Sequence, residues 1–337
     1  MRRRLAVLFA LILLMPAAHA QRRRAVLPGV IQQPSDPCAP GKVLDNTFSA
    51  DVEVDDTYIY FTDDLSDIWR TLKTNPVNTV PELLGTVPDF VVVLALDSTN
   101  IYALTSGSSG NDGAVWTLPK TGGTPQQVAS GIVSPFELAA DDTNVYWVSA
   151  GTPTFNGFNA DGKVEKVSKS GTNRVTLADK LNLPTSIATD GTNVFYGETG
   201  LSSGGGSKGL RSVPVNGGTV KKLTNSAGVV GVTVSGNDVF FANFDFFTGG
   251  ELLRMPKGGG NTTSLLKPIA VVTHMVVSGD KLYFFESANT QAIESIPIAG
   301  GARKLVLSGA FLAEEFAVDD CVIYSIDGTG ALVRTAK

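Results

Sequence analysis

Histidine and cysteine are scarce in this sequence, with two of each among 337 residues. A site built from several histidine ligands is therefore excluded. Charged residues make up only 18% of the chain and hydrophobic residues 43%, a balance that excludes a disordered protein. The sequence also lacks a nucleophile elbow, a phosphate-binding loop, a dinucleotide-binding fingerprint and a Cys-x-x-Cys pair. These absences exclude the enzyme classes that depend on those motifs.

No apolar run approaches the roughly 20 residues that a membrane-spanning helix needs, so no membrane span is expected. The apolar run at 5–15 follows three arginines at 2–4 and precedes the small-x-small triplet at 18–20. This order predicts a signal peptide over residues 1–20 rather than a buried N-terminal helix. We expect the mature chain to be exported, to the periplasm or the extracellular space.

Positive charge is in deficit. The net charge is −5, and it becomes −8 once the three arginines of the signal peptide are removed. Nucleic-acid phosphates require a basic face, so no nucleic-acid partner is expected. Residues 21–41 contain prolines and no hydrophobic periodicity, which predicts a flexible leader. Residues 42–337 remain as the folded domain.

A repeat fills that domain. Seven times, an Asp- or Gly-rich turn is followed by an apolar strand that ends in an aromatic residue, and these aromatics recur every 41 to 49 residues. All seven tyrosines of the chain fall in these strands. The closing aromatics are Tyr60, Tyr102, Tyr146, Phe195, Phe240, Tyr283 and Tyr324.

Each repeat continues into a second hairpin marked by an aliphatic residue and a glycine turn, where glycine permits positive φ. A unit of about 44 residues with four strands has the size of one propeller blade. The sequence therefore predicts an all-β, seven-bladed β-propeller with four-stranded blades. A helical fold lacks its 3.6-residue apolar period here, and a linear β-solenoid has shorter repeats.

The two ends of the repeat array predict how the ring closes. The seventh unit stops at Lys337 without an outermost strand, and the segment 42–44 precedes the first unit where such a strand belongs. We expect this segment to complete the last blade. Cys38 and Cys321 lie beside that junction, so an oxidising compartment favours a disulfide between them. Seven complete blades leave no open edge, and the expected state is a monomer.

The stretch Asp-Asp-Thr-Asn-Val-Tyr-Trp at 141–147 and its counterparts resemble exported bacterial β-propellers of the TolB-like and YncE-like kind. The resemblance covers about residues 42–337. It implies an architecture rather than one activity, since such propellers bind proteins or small molecules and some are enzymes. Gluconolactonase-like propellers hold a calcium ion in the axial channel, whereas virginiamycin-lyase-like propellers use paired histidines, and the mature chain has only His274.

One position near the start of each innermost strand is predicted to ring the mouth of the axial channel. Three carboxylates and a histidine at this position suit a hard cation such as Ca²⁺, held by Asp51, Glu137 and Glu315, or an acid/base pair. The alternative is a water-filled channel whose polar residues have no role. The seven occupants are Asp51, Val93, Glu137, Ser186, Gly231, His274 and Glu315.

The longest predicted loops lie on the same face, at 148–162, 197–208 and 242–250. Exposed aromatics on one rim favour a surface for a protein or glycan, although the rings can also pack under their own loops. The aromatics in question are Phe155, Phe158, Phe244, Phe246 and Phe247. The expected function is a non-enzymatic binding scaffold without a cofactor. The alternative is a cation-dependent hydrolase or lactonase that acts at the channel mouth.

Overall fold

The computed structural model describes residues 36–45, 51–63, 66–107, 112–155, 157–201, 207–224, 228–244, 249–287, 291–309 and 315–337. All regular elements in these ranges are β-strands. No helix capable of crossing a membrane occurs among them. The predicted signal peptide and most of the predicted leader lie outside the described residues and stay predictions.

Seven four-stranded antiparallel sheets form the domain, and each is a blade. In blades one to six the strands follow chain order from the inside outwards. The innermost strands of blades one to seven are β2 (Val52–Val54), β6 (Val91–Leu96), β10 (Pro135–Ala140), β16 (Pro184–Thr189), β20 (Gly228–Ser235), β24 (Val271–Ser278) and β28 (Phe316–Val318). The second strands are β3 (Tyr58–Thr62), β7 (Asn100–Thr105), β11 (Asn144–Ser149), β17 (Asn193–Glu198), β21 (Asp238–Phe244), β25 (Lys281–Ser287) and β29 (Val322–Ile326). The third strands are β4 (Asp67–Leu72), β8 (Gly113–Pro119), β14 (Gly162–Ser168), β18 (Gly209–Pro214), β22 (Gly250–Pro256), β26 (Gln291–Pro297) and β30 (Leu332–Ala336).

The outermost strands complete the blades, and the last of them comes from the N-terminal end of the domain. They are β5 (Glu82–Thr86), β9 (Gln126–Ile132), β15 (Val175–Leu181), β19 (Lys221–Lys222), β23 (Thr263–Ile269), β27 (Lys304–Gly309) and β1 (Gly41–Leu44). A small additional hairpin, β12 (Pro153–Thr154) and β13 (Gly157–Phe158), lies between the second and third strands of blade three.

The innermost strands of neighbouring blades contact one another around the ring, and β28 of blade seven contacts β2 of blade one. The ring is thus closed, which confirms the predicted seven-bladed propeller. At the junction, Gly41 pairs with Arg334 and Leu44 with Leu332, so the N-terminal segment completes blade seven as expected. The Cys38–Cys321 disulfide, with Cα atoms 5.4 Å apart, staples the same junction across 283 residues of sequence.

Apolar side chains fill the spaces between the blades. The aliphatic residue that recurs in every third strand is fully buried in each blade, as Ile68, Val115 and Leu332 illustrate. The cluster at the ring junction joins Val43 of β1 and Tyr324 of blade seven to Phe61 of blade one. Burial on both faces of every sheet explains why the strands are rich in Val, Ile and aromatic residues.

The aspartate in the turn between first and second strands fixes that turn. One carboxylate oxygen of Asp97 accepts the backbone N–H groups of Thr99 and Asn100, each at 2.7 Å. The same arrangement recurs in four other blades, at Asp55, Asp141, Asp190 and Asp319. These aspartates therefore stabilise the turns in which they lie.

The other carboxylate oxygen of four of these aspartates binds a lysine from the next blade, an arrangement that we call a lysine clasp. The four clasps have N–O distances of 2.7 to 2.9 Å and join Lys120 to Asp55, Lys169 to Asp97, Lys257 to Asp190, and Lys73 to Asp319. The last one connects blade one to blade seven across the ring junction. This face of the propeller therefore ties neighbouring blades together, a role that the sequence analysis did not anticipate.

Candidate functional site

The predicted ring positions lie where each innermost strand begins, an end of the propeller that we call the axial mouth. Glu137 pairs there with Val148, and Ser186 with Gly197, near the ends of their second strands. The loops between second and third strands leave from the same end. The residue after each ring position is apolar and buried, as expected, in the order Val52, Leu94, Leu138, Ile187, Val232, Met275 and Phe316.

Two carboxylates of the ring join their blade to the next one. Asp51 is only 3% exposed, and its Oδ2 accepts the backbone N–H of Leu94 in blade two at 2.5 Å. Glu137 of blade three likewise accepts the backbone N–H of Ile187 in blade four at 2.8 Å. The other oxygen of Asp51, Oδ1, accepts the backbone N–H of Val52 at 2.7 Å. Each carboxylate therefore ties its own blade to the next one through a main-chain N–H group.

His274 and Glu315 form a pair across blades six and seven. Nδ1 of His274 lies 2.5 Å from Oε2 of Glu315, and both side chains are partly exposed, at 20% and 25%. The other ring nitrogen, Nε2, lies 3.1 Å from the carbonyl oxygen of Phe316 and donates to it. An imidazole that donates from both nitrogens is protonated, so this pair is an ion pair.

The pKa values of Asp51, Glu137 and His274 are all raised, and these side chains have more carboxylates than positive charges around them. Burial and the Glu315 carboxylate raise the pKa of Asp51 to about 7, and the same two causes raise the pKa of Glu137 to about 8. Burial opposes protonation of His274, but the carboxylates of Glu315, Asp51 and Glu137 outweigh it and raise its pKa to about 9. One imidazolium thus faces several carboxylates in a poorly hydrated place.

Glu53 is a further member that the sequence analysis missed. Burial and the Asp51 carboxylate raise its pKa to about 8, and His274 and Glu315 also act on it. A signal was available, because alternate residues of a strand share a side and Glu53 lies two positions after Asp51. We call Asp51, Glu53, Glu137, His274 and Glu315 the axial cluster.

The three uncharged ring positions have different surroundings. Val93 is 9% exposed and belongs to the core between blades two and three. Ser186 is 1% exposed and its hydroxyl has no hydrogen-bond partner among the described residues. At Gly231, a Cβ would lie 3.1 Å from the Val272 carbonyl oxygen, so the close approach of blade six favours glycine.

The predicted cation ligands Asp51, Glu137 and Glu315 share this cluster and influence one another electrostatically. Within the ranges that the structure describes, no three His, Cys, Asp or Glu side chains are grouped as a metal would require. Carboxylate oxygens suit a hard cation chemically, and a divalent ion at this place would need the side chains to move closer together. The cation site stays a prediction.

The loop aromatics divide into two groups. Phe155 is fully exposed at the tip of the β12–β13 hairpin, as expected for a rim aromatic. Phe158 is only 7% exposed and Phe244 packs against the core between blades five and six. Both rings therefore follow the alternative in which an aromatic lies under its own loop. Phe246 and Phe247 lie outside the described residues.

Comparisons with known proteins agree on the architecture. No protein-family model matches the sequence, and no curated protein sequence matches it significantly. The computationally designed Ika8 protein is 12% identical over 88% of this chain and 99% of its own, with a TM-score of 0.55. A puromycin-hydrolysing peptidase of Mycobacterium tuberculosis is 10% identical over 75% of this chain, with a TM-score of 0.56.

The chain spans only 44% of the length of that peptidase. A TolB protein of Agrobacterium tumefaciens is 16% identical over 62% of this chain and 76% of its own, with a TM-score of 0.43. None of these comparisons gives specific support to the YncE-like type. At such identities the similarities to the designed protein and to the peptidase show the fold alone, because one fold serves many functions.

Proposed function

We propose that the protein is an exported, non-enzymatic binding scaffold whose loop-bearing face receives a protein or glycan partner, with the axial cluster at the centre of the contact. The observation that carries the proposal is the imbalance of charge in that cluster. Four carboxylates face a single imidazole, and three of them have raised pKa values. A positively charged group of a partner, placed at the axial mouth, relieves this repulsion.

The position of the cluster supports the same function. Side chains from blades one, three, six and seven contribute to it, so a group at the mouth contacts most of the ring at once. The exposed Phe155 stands on the same face, and exposed aromatics are frequent anchors at binding surfaces. The Cys38–Cys321 disulfide is compatible with an exported protein.

A cation-dependent hydrolase or lactonase is the second candidate. The observation that favours it is the same set of carboxylates, because burial and mutual repulsion raise the pKa values of Asp51 and Glu137 and a bound cation opposes that effect. The metal content of the purified mature protein, with its unfolding temperature in calcium and in a chelator, distinguishes the two. A tightly held ion and a clear shift support the enzyme.

Binding of a charged probe tests the scaffold directly. A fluorescent oligolysine peptide and an oligoglutamate peptide are titrated with the mature protein at moderate ionic strength. We expect the cationic peptide to bind and the triple variant Asp51→Asn, Glu137→Gln, Glu315→Gln to weaken it by about tenfold or more. Glu137→Gln keeps the oxygen that accepts the Ile187 N–H, whereas Asp51→Asn keeps only one of the two oxygens that accept the N–H groups of Val52 and Leu94. The unfolding temperature of the variant shows whether it is folded.

The matched control makes an equal change of formal charge at positions outside the axial cluster. Asp56, Asp142 and Asp179 are exposed, the first two in the turns away from the axial mouth and the third on the outermost strand of blade three. Their triple asparagine variant has the same net charge as the amide variant of the cluster. Equal weakening by both variants means that the peptide senses only the overall charge, and the proposal fails.

A further inference from the structure

A cleft lies between blades two and three, away from the axial cluster. Its volume is about 270 Å³, and we call it the inter-blade cleft. Blade two contributes the end of β9 and the residues after it. Blade three contributes β11, β14 and the base of the β12–β13 hairpin. The lining includes the polar residues Ser149, Thr152, Asp161, Lys163, Glu165 and Arg174.

An ion pair in the wall of the cleft is held rigidly by its neighbours. Arg174 donates to both oxygens of Glu165, from Nε at 3.2 Å and from Nη2 at 3.0 Å. It also donates to the carbonyl of Ser130 in blade two, and its guanidinium carbon lies 5.2 Å from the ring centre of buried Trp147. These contacts fix the guanidinium and the carboxylate before any ligand arrives, which lowers the entropic cost of binding.

Two polar side chains of the cleft have no partner among the residues that the structure describes. Ser149 is 4% exposed, yet its hydroxyl forms no hydrogen bond to any described residue. Lys163 pairs with Ser149 across strands β11 and β14. Its side chain forms no ion pair or hydrogen bond with any residue that the structure describes. The Ser149 hydroxyl oxygen is not among the fully buried side-chain atoms that lack a partner, so it is open to solvent in the cleft, where a ligand that supplies hydrogen bonds replaces water.

The charges of the lining cancel. Lys163 and Arg174 are positive, and Asp161 and Glu165 are negative, so the cleft has no net charge to attract an ion. It does offer donors and acceptors side by side, the pattern that neighbouring hydroxyl groups of a sugar satisfy. The lining therefore fits an uncharged polyhydroxylated ligand better than an anion or a cation.

An aromatic platform stands beside the cleft. Asp161 accepts the backbone N–H and the hydroxyl of Thr152, each at 2.7 Å, and so closes the base of the β12–β13 hairpin. The Phe158 ring is buried and anchors the hairpin to the domain. Phe155 lies at the tip of the hairpin, and its ring is exposed to solvent. Phe155 lies three positions after Thr152 of the cleft wall, a reach of about 10 Å.

We propose that the inter-blade cleft and Phe155 form a binding site for an uncharged oligosaccharide, with one sugar unit in the cleft and a second on the phenylalanine ring. This inference goes beyond the proposed role of the axial mouth and does not depend on it. The sugar hydroxyls bond to Ser149, Lys163 and the fixed Glu165–Arg174 pair. The apolar face of the next unit packs on the exposed ring.

Saturation-transfer NMR with the mature protein tests the site. The probes are neutral disaccharides and trisaccharides of glucose, galactose, mannose and N-acetylglucosamine, with glucuronic acid oligomers as charged comparators. We expect transfer to one or more neutral probes and little to the acidic ones. Ser149→Ala and Phe155→Ala each weaken the affinity by about tenfold.

Two controls make the outcome decisive. Val80→Ala removes an exposed apolar side chain from blade one and leaves binding unchanged. The triple amide variant of the axial cluster also leaves saccharide binding unchanged, so the failure of one proposal is distinguishable from the failure of the other. Unfolding temperatures confirm that each variant is folded. Three results overturn the proposal. They are the absence of transfer to every neutral probe, stronger transfer to the acidic probes, and transfer that is unchanged in both Ser149→Ala and Phe155→Ala.

Discussion

At the scale of single residues, Glu137 illustrates how structure and binding share one side chain in the axial cluster. Its carboxylate accepts the backbone N–H of Ile187 and so joins blade three to blade four. The same carboxylate lies in a poorly hydrated place near other acids, which raises its pKa to about 8. A carboxylate that must be ionised for binding is thus held at a cost in stability, as is common at functional sites.

The glutamine variant of Glu137 separates the two roles by pH. The carboxyl group binds its proton more tightly in the folded protein than at the ordinary pKa of 4.5, so its contribution to the free energy of unfolding falls as pH rises from about 4.5 to about 8. Glutamine has no proton to lose. We expect Glu137→Gln to be more stable than the wild type at pH 9 and nearly equal to it at pH 4.

Urea unfolding at the two pH values measures this difference. Asp179→Asn, a change of an exposed acid in the same blade, serves as the control and shows no such dependence. A stability difference for Glu137→Gln that is the same at both pH values contradicts the account.

Residue identity and strand alternation predicted part of the axial cluster. The ring positions Asp51, Glu137, His274 and Glu315 follow from aligning the repeats, since equivalent positions of equivalent strands meet at the axis. Their contacts with the next blade do not follow, because the alignment says nothing about how far one blade is staggered against another. Glu53 could also have been predicted, because side chains two positions apart in a strand lie on the same side. Blade one is the blade with a charged residue two positions after its ring position.

At the scale of elements, the lysine clasps show how a blade is held to its neighbour. The lysine that follows a third strand reaches the turn aspartate of the preceding blade, and Lys120, Lys169 and Lys73 also lie over a tyrosine ring. In blade four the equivalent residue is Val215, and in blade six it is Ile298. The clasp is therefore not needed at every blade interface. Val215 and Ile298 pack against apolar clusters, and between blades six and seven Lys337 donates to the Ser278 hydroxyl instead.

Loss of one clasp has a defined signature. Lys120 binds Asp55 at 2.9 Å, and the contacts of Asp55 hold its pKa down to about 2 although burial opposes this. The stabilisation from a lowered pKa is complete above pH 4 and is lost as the pH falls towards 2. We expect Lys120→Met to cost about 1–2 kcal/mol at neutral pH for this partly exposed pair, and less in acid.

Lys222→Met is the matched control, because Lys222 is exposed on β19 and forms no ion pair or hydrogen bond within the described ranges. Chemical denaturation at pH 7 and pH 2.5 compares the three proteins. Equal unfolding midpoints for the wild type and Lys120→Met at pH 7 contradict the clasp. The sequence alone did not predict this contact, because its two residues are 65 positions apart and belong to different repeats.

At the scale of the whole molecule, the ring is closed twice at one place. Pairing of β1 with β30 supplies main-chain hydrogen bonds, and the disulfide adds a covalent link. Both features follow from the sequence, because the repeat array ends one strand short and each cysteine lies at an end of that array. Seven units with the same turn and aromatic pattern leave few alternatives to a closed ring.

Opening the disulfide tests how much the covalent closure contributes. In the chain-entropy description, a link across nearly 300 residues stabilises by up to about 5 kcal/mol. We expect the Cys38→Ala, Cys321→Ala variant to unfold at a clearly lower urea concentration than the oxidised wild type. The unreduced wild type, once unfolded, should show no free thiol. Two titratable thiols per chain, or an unchanged unfolding midpoint, refute the closure role.

The ionisation of the axial cluster tests the central claim most directly. Carbon-13 NMR of labelled Asp and Glu carboxyl groups gives each titration midpoint, and single amide variants assign the signals of Asp51, Glu53 and Glu137. The account predicts midpoints near 7 for Asp51 and near 8 for the two glutamates, which fall when the oligolysine peptide is added. Titration midpoints near 4 for all three groups, or midpoints that do not change when the peptide is added, would contradict this claim. The axial mouth would then be a water-filled channel whose polar residues have no binding role.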